Sequence, residues 1–328
     1  MKHEKIRPLL EVENLTVEIA TKAGRFLPVN NHSFTVNAGE TLGIVGESGS
    51  GKSMTAMSLM RLLPRHAARI LGGTVKLDGR ELLSLSEKEM RKVRGKDISM
   101  ILQDPQTSLN PAFTVGDQIA EALKLHDPEA RTSLRQKTID ALRRVKVAAP
   151  EHRVDAYPGE MSGGMRQRAV GAIAISCRPK LIIADEPTTS LDVTVQAQYL
   201  RLLRELQDET GMAMIFITHD FGIVANICHR ILVMYAGRIV ESGPVDRIFA
   251  RPAHPYTEAL IAAVPKLDGQ QDRLRTIPGQ PPAPTDRFDG CPFAPRCEKA
   301  DDRCRREMPP MVTTVEGHMA SCWKVDET

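Results

Sequence analysis

The sequence predicts an α/β protein with a parallel core sheet, an antiparallel β subdomain, an inserted helical subdomain and a cysteine-containing C-terminal extension. Three observations predict it. Residues 46–53 read GESGSGKS, between the β-prone run TLGIVG and the helically spaced run KSMTAMSLMRLL. Residues 181–186 read LIIADE, an apolar strand that ends in two carboxylates. Between these two motifs, from about Ser86 to Gly171, the apolar spacing turns helical.

Taken in order, residues 8–45 are dominated by β-prone alternation, in LLEVENLTVEIA and SFTVNAGETLGIVG, and GGTVKLDGREL reads as a hairpin. These strands form the antiparallel subdomain. GDQIAEALKLH and TSLRQKTIDALRRVKV each place their apolar residues on one face, and an inserted helical subdomain at about residues 86–171 accounts for them. Pro105 and Pro111 bracket QDPQTSLNP, which is expected to be a non-helical loop joining core to helices. Strands return at KLIIAD, MAMIFITHD and HRILVMYAGRIVESG, separated by helical stretches, the order of a parallel α/β sheet. Beyond residue 250 the prolines at 278, 281, 282 and 284 argue for an extended segment, and a cysteine cluster follows. Residues 1–250 are therefore read as one domain and 251–328 as its extension.

Composition narrows the function classes. At 328 residues the chain can bury a sizeable core. Its formal net charge of +3, with 26% charged residues, makes no electrostatic case for nucleic acid or an anionic membrane. No apolar run reaches the roughly 18–20 residues that span a bilayer. The opening MKHEKIRPLLEVEN lacks the apolar core of a signal peptide, so a cytoplasmic location is expected.

The G-x-x-x-x-G-K-S spacing is that of a nucleotide-phosphate grip. In the loop Gly46, Glu47, Ser48, Gly49, Ser50 and Gly51, the glycines let backbone N–H groups turn inward. Lys52 would reach the β and γ phosphates and Ser53 would offer a hydroxyl to Mg²⁺. Ser162, Gly163 and Gly164 open a helix and form a second anion site. Two grips on one ATP would be redundant, so this one is read as facing the γ-phosphate held by another subunit. No second copy of the phosphate-grip motif occurs, so the chain carries half of a two-ATP machine.

At these residues the chain resembles the ATP-binding subunits of ABC transporters, over roughly residues 10–250. SGGMRQR is similar to that family's signature motif, with Met165 where Gln is more usual. The resemblance implies that Gln103 is the Q-loop glutamine, Asp185 the Walker B aspartate and Glu186 the catalytic carboxylate. It further implies that Ser190, Leu191 and Asp192 form the D-loop and that His219 is the switch histidine. Ser53, Asp185 through water, and Gln103 would attend Mg²⁺, Glu186 would polarise the attacking water, and His219 would bond the γ-phosphate. Ser190 and Asp192 are also placed to cap the following helix. The aromatic platform for adenine is weak, with Ile19 at the expected place and Phe26 the nearest ring.

Cys291, Cys297, Cys304 and Cys322 follow one another at gaps of five, six and seventeen residues. In a cytosolic chain four such thiols favour a metal over disulfides, although the gaps depart from the short pairs of structural zinc. HPYTEAL, IPGQPP, GCPFAPRC and the terminal SCW resemble the oligopeptide and dipeptide importer branch of the same family. That resemblance implies a [4Fe-4S] cluster on the four cysteines, with zinc and unliganded thiols as the alternatives. Cys177 and Cys228, inside apolar segments, read as packing residues.

The resemblance also implies a role and its partners. The chain would hydrolyse ATP to power a binding-protein-dependent importer of peptides, as a peripheral subunit on the cytoplasmic face of the inner membrane. Two transmembrane permease subunits, a second related ATPase or a second copy of this chain, and an extracytoplasmic solute-binding protein would complete it. Relatives carry nickel complexes, oligosaccharides or glutathione-like solutes on much the same cassette. A soluble ATPase acting on ribosomes or DNA would carry two cassettes or a long coiled-coil insertion, and neither is visible.

Overall fold

A computed structural model describes residues 7–127, 132–189, 191–264, 276–315 and 317–325. The chain divides into two compact units. A helical unit takes Val36–Glu40 and Ser84–Ile217 with the segment ending at Leu9. A phosphate-loop unit takes Leu10–Thr35, Thr41–Leu83 and the chain from Thr218 onward.

The phosphate-loop unit begins with β1 (Leu10–Thr21), β2 (Gly24–Val36), β3 (Thr41–Val45), α1 (Lys52–Leu59), β4 (Ala68–Leu77) and β5 (Arg80–Glu81). Four of these strands form a sheet in the order β2-β1-β4-β5, with β1 antiparallel to β4 and β4 antiparallel to β5. The hairpin read in GGTVKLDGREL is present: Leu77 faces Arg80 across Asp78-Gly79, and both turn residues have positive φ, at 50° and 74°. That geometry suits the right-handed twist of the flanking strands. In β1 the buried positions alternate, then break near Asn14 (φ 51°), where the register with β4 shifts in a bulge.

The helical unit contains α2 (Glu87–Val93), β6 (Ile98–Ile101), α3 (Pro105–Ser108), α4 (Val115–His126), α5 (Leu134–Arg144), α6 (Pro150–Arg153), α7 (Gly163–Ile175), β7 (Leu181–Asp185), α8 (Val193–Thr210) and β8 (Ala213–Ile217). A capping box starts α2: Glu89 N–H donates to Ser86 Oγ at 3.3 Å, and Ser86 N–H donates to Glu89 Oε2 at 2.9 Å. Thr114 caps α4 in the same position. Ile119 and Leu123 of α4 and Ile139 and Leu142 of α5 are buried, and α4, α5 and α7 pack together. Strands β6, β7 and β8 are parallel, in that order. Every residue of β7 and β8 is buried, which is why LIIAD and AMIFI read as unbroken apolar runs rather than alternations. Each large aliphatic side chain so buried contributes about 1.5–3 kcal/mol.

Two expectations for this stretch are corrected. The segment from 86 to 171 is not wholly helical, because β6 lies inside it and pairs with β7; four residues are too few for the apolar period to reveal. The Pro105–Pro111 stretch is not free of helix, because α3 is one turn with Pro105 in first place, where its missing N–H costs no bond.

The phosphate-loop unit resumes with α9 (Phe221–Ile227), β9 (Arg230–Tyr235), β10 (Arg238–Pro244), α10 (Val245–Ala250), α11 (Pro255–Ala262), α12 (Asp302–Arg306), β11 (Val312–Val315) and β12 (His318–Ala320). Strand β3 runs parallel to β9. HRILVMYAGRIVESG then departs from the expected parallel pattern, since β9 and β10 form an antiparallel hairpin around Ala236-Gly237 (φ 46° and 75°). Strand β12 pairs with β10, and β11 with β12, so the extension adds its own strands to the sheet. Glu241 of β10 is wholly buried and accepts from the N–H of Ala253 (2.7 Å), the N–H of His254 (3.0 Å) and His318 Nε2 (2.7 Å), tying α11 and β12 to one carboxylate. Tyr235, Tyr256 and Phe293 stack with centroids 4.6–5.3 Å apart, bringing sheet, α11 and extension into a single core. Among the described residues no helix is long and apolar enough to cross a membrane.

Candidate active site

The loop from Gly46 to Gly51 joins β3 to α1 inside the phosphate-loop unit. Gly51 precedes the helix at φ 103°, and a Cβ there would stand 1.9 Å from the Pro28 carbonyl oxygen. At Gly46 (φ 152°) it would stand 2.2 Å from the Met234 carbonyl oxygen. Side chains at either position would push the loop off the strands that shape it. The β9–β10 turn supports the loop from behind: Gly237 N–H donates to the Ser50 carbonyl at 3.0 Å. Its own carbonyl accepts from Asn30 N–H at 2.8 Å and from His32 Nε2 at 2.9 Å. Burial pushes His32 down to about 4, so its ring is neutral at pH 7.

Lys52 is buried, and its Nζ donates to the carbonyl oxygens of Gly46 (2.7 Å) and Glu47 (3.0 Å). Ser50 Oγ is buried without a hydrogen-bond partner among the described residues. Ser48 and Gly49 are exposed and Ser53 is half-buried in the first turn of α1. A buried ammonium, an orphaned hydroxyl and the N-terminal amides of an eight-residue helix thus gather on one loop. This donor set fits the phosphates of a nucleotide.

In the helical unit β7 ends at buried Asp185, and the next residue, Glu186, takes a left-handed backbone with φ 45°. Strain of this kind collects at functional positions, and here it is held by Glu186 N–H donating to the Ile217 carbonyl at 2.9 Å. Gln103, exposed just after β6, donates from Nε2 to Glu186 Oε2 at 2.9 Å. Two expected residues separated by 83 positions therefore meet directly. Thr189 Oγ1 also donates to Glu186 Oε2, at 3.2 Å, a contact that nothing in the motif spacing indicated.

Ser162 is exposed at the N-terminus of α7, where its Oγ accepts from Met165 N–H at 3.3 Å, and Gly163 and Gly164 form the first turn. Asp192 caps α8 as expected, accepting from Val195 N–H at 2.9 Å. Ser190 lies outside the described residues. In the phosphate-loop unit His219 is exposed between two anchors. Asp220 N–H donates to Thr218 Oγ1 at 3.0 Å, and the Asp220 carboxylate caps α9 through Gly222 and Ile223.

Comparison with known proteins decides the family. Residues 29–189 match the ABC transporter family model, and residues 240–304 match the oligopeptide/dipeptide transporter C-terminal region. A probable peptide ABC transporter ATP-binding protein of Sinorhizobium fredii is 52% identical over 320 residues, covering 97% of this chain and 96% of that one. The chain belongs to the ABC transporter ATP-binding family, in its oligopeptide/dipeptide branch. The oligopeptide transport ATP-binding protein OppD of Haemophilus influenzae is 49% identical, covering 97% and 98%. A dimeric structure of MJ0796, a bacterial ABC transporter cassette, superposes with a TM-score of 0.64 at 25% identity, covering 72% of this chain and 98% of that one. As an ABC ATPase the protein binds ATP and hydrolyses it to drive transport.

In this ABC ATPase the four extension cysteines line one small pocket, with room for about 20 Å³, together with His254, Phe293 and Trp323. Burial raises all four thiols, Cys291 to about 11, and neighbouring thiols add to the rise in three of them at least. Among the described residues no three His, Cys, Asp or Glu side chains form a group that could hold a metal ion. Cys228 packs on the core of the phosphate-loop unit, as expected of a packing residue, and half-buried Cys177 donates from Sγ to the Ala122 carbonyl at 3.5 Å. Ile19 and Phe26, the two candidates for the adenine platform, are both half-buried on β1 and β2.

One contact was missed in the sequence. Arg296, in the short turn before Cys297, forms a fork with Glu47 of the phosphate loop, Nη1 to Oε2 at 2.7 Å and Nη2 to Oε1 at 3.1 Å. The GCPFAPRC motif displays this arginine, but 249 positions separate it from its partner and no periodicity links them.

Proposed function

We propose that this chain is the ATP-hydrolysing subunit of a binding-protein-dependent ABC importer whose solute is a peptide of the dipeptide or oligopeptide class. The observation that carries the reading is the oligopeptide/dipeptide C-terminal region matched over residues 240–304 of an ABC ATPase. We take residues 1–250, with a helical insertion at about 86–171, as the ATPase body and 251–328 as the extension. Its partners are two transmembrane permease subunits, an extracytoplasmic solute-binding protein and a second ATPase, either a related chain or a copy of this one. The chain works peripherally on the cytoplasmic face of the inner membrane.

In this reading Gly46–Gly51 and Lys52 hold the β and γ phosphates, and Asp192 stands at the subunit boundary. Ser162, Gly163 and Gly164 face the γ-phosphate bound by the partner cassette. Ser53, Asp185 and Gln103 would hold Mg²⁺, which would supply charge neutralisation on the phosphate oxygens. Glu186 orients a water toward the γ-phosphorus; the new P–O bond forms as the bond to the β-phosphate oxygen breaks, and ADP leaves. His219 donates to the γ-phosphate. The Gln103–Glu186 hydrogen bond supports the pairing of metal-side and water-side residues at one carboxylate.

We also infer, on the resemblance of the extension to the oligopeptide and dipeptide branch, that Cys291, Cys297, Cys304 and Cys322 would ligate a [4Fe-4S] cluster. What supports this is that the four thiols line one pocket in a branch where the sequence resemblance implies a cluster; the sulfurs would have to draw together to ligate it, since among the described residues no three are grouped to hold a metal ion as they stand. Anaerobically purified protein should contain about four irons per chain and absorb near 400 nm; stoichiometric zinc without iron would replace the cluster by a closed zinc site.

The importer reading is tested by purifying tagged Glu186→Gln chain with ATP in mild detergent from its native cells and identifying what comes with it. Two polytopic proteins and a sibling ATPase are the expected companions. Ribosomal or DNA-bound companions without membrane subunits would overturn the transport reading.

A further inference from the structure

Glu47 occupies an open position of the G-x-x-x-x-G-K-S loop. It puts a carboxylate among groups arranged to attract anions, and a free carboxylate there would repel the phosphates that Lys52 attracts. The structure shows how the charge is handled. Arg296 is nearly inaccessible, with 5% of its side chain exposed, and grips both carboxylate oxygens of Glu47. The guanidinium is itself fixed: Nε donates to the Pro278 carbonyl at 2.9 Å and Nη1 to Tyr235 Oη at 3.2 Å. The Glu47 backbone is held from the same side, its N–H donating to Tyr256 Oη of α11 at 2.9 Å. Its carbonyl is one of the two acceptors of Lys52 Nζ. Thus Glu47 is held through its N–H and both carboxylate oxygens by residues beyond position 234, while its carbonyl anchors the lysine.

We propose that Arg296 is a positioning residue of the ATP site, which neutralises and orients Glu47 so that the phosphate loop accepts the charge of ATP. The extension then acts on nucleotide affinity through a single ion pair. A bidentate fork is suited to this task, because it fixes the plane of the carboxylate as well as cancelling its charge. The inference rests on the phosphate-loop reading of residues 46–53, and the experiment separates the two.

Full-length chains are compared by displacement of a fluorescent ATP analogue and by steady-state phosphate release. Arg296→Met keeps the side-chain length and removes the charge, and it should raise the Kd and KM for ATP about tenfold, with a smaller change in kcat. Raising the salt should shrink that penalty, because the exposed repulsion is screened. Adding Glu47→Gln to Arg296→Met should recover most of the lost affinity, since the carboxylate that needed neutralising has gone. Arg296→Lys, with charge but no fork, should fall between wild type and Arg296→Met.

Wild-type affinity in Arg296→Met, or a double variant as weak as Arg296→Met, would show that the arginine only packs the extension. If Arg296→Met does not fold, Glu47→Gln alone decides. With Arg296 left uncompensated it should bind ATP severalfold more tightly, and weaker binding overturns the proposal. Lys52→Ala in the same assay should abolish binding; unchanged binding there would sink the phosphate-loop reading instead, whatever Arg296 does.

Discussion

The two units differ in their most buried charged pairs. In the helical unit the ion pairs lie at the surface: Arg135 with Asp155, Arg143 with Asp140 and Glu151, Arg144 with Glu209, and Lys146 with Glu205. Arg135 and Asp155 are each more than 60% exposed despite a 2.7 Å contact. The phosphate-loop unit has exposed pairs as well, such as Arg303 with Glu307 and Arg306 with Asp302, but two of its pairs go inside, Arg296 with Glu47 at 5% and 25% exposure and His318 with Glu241 at 4% and 0%. Exposed pairs exchange one hydration shell for another and gain little. Buried pairs cost desolvation, and removing one partner strands the other, so they report on a structure that must be held in one arrangement. The loop unit's two buried pairs stand where geometry is held, at the phosphate loop and at the β10–β12 pairing.

Glu186 is the test case inside the helical unit, because its contacts with Gln103 and Thr189 are organised rather than merely exposed. Glu186→Gln should lower phosphate release by about a thousandfold while retaining ATP binding, as loss of a transition-state group does. Near-normal turnover would remove that carboxylate from the chemistry. Next in size, Glu241→Ala should destabilise the protein by roughly 3–5 kcal/mol in denaturant titration, since two N–H groups and His318 lose their acceptor. A loss as small as that of a surface pair would break the comparison.

Acid should act on the loop unit through its buried rings. Burial lowers His32 and His254 from 6.5 to about 4, so the unfolded chain binds more protons than the folded one between those values. Stability therefore falls as pH drops from about 6.5 toward 4, by up to about 1.4 kcal/mol per pH unit for each ring. Replacing His254 should flatten part of that profile, and an unchanged slope would show that its ring does not titrate with unfolding. At the small end, Arg135→Ala should leave the melting midpoint where it was, because Asp155 returns to water.

Much of this was legible in the sequence because its signals are local. The phosphate loop, LIIADE and the Asp192 cap each lie in a few consecutive residues whose chemistry is constrained at every position. The Asp78-Gly79 hairpin declared itself by turn chemistry. What escaped has a common cause, which is distance along the chain or brevity. Strand β6 is four residues long, α3 is a single turn after a proline, and the Arg296–Glu47 fork closes a loop of most of the molecule. Thr189 likewise reaches Glu186 only because the backbone at 186 turns left-handed, a conformation no residue preference announces.

The last strands have a consequence for truncation. Glu241 and Ser242 of β10 pair with Ala320 and Met319 of β12, and β11 then closes that side of the strand run with only four residues. A chain cut after Pro309 would keep every nucleotide motif yet present β10 as a bare edge beside a buried carboxylate that has lost its His318 partner. Such an edge invites pairing with another chain. Shortened versions of this protein would therefore be limited by aggregation in the tube before they were limited by chemistry.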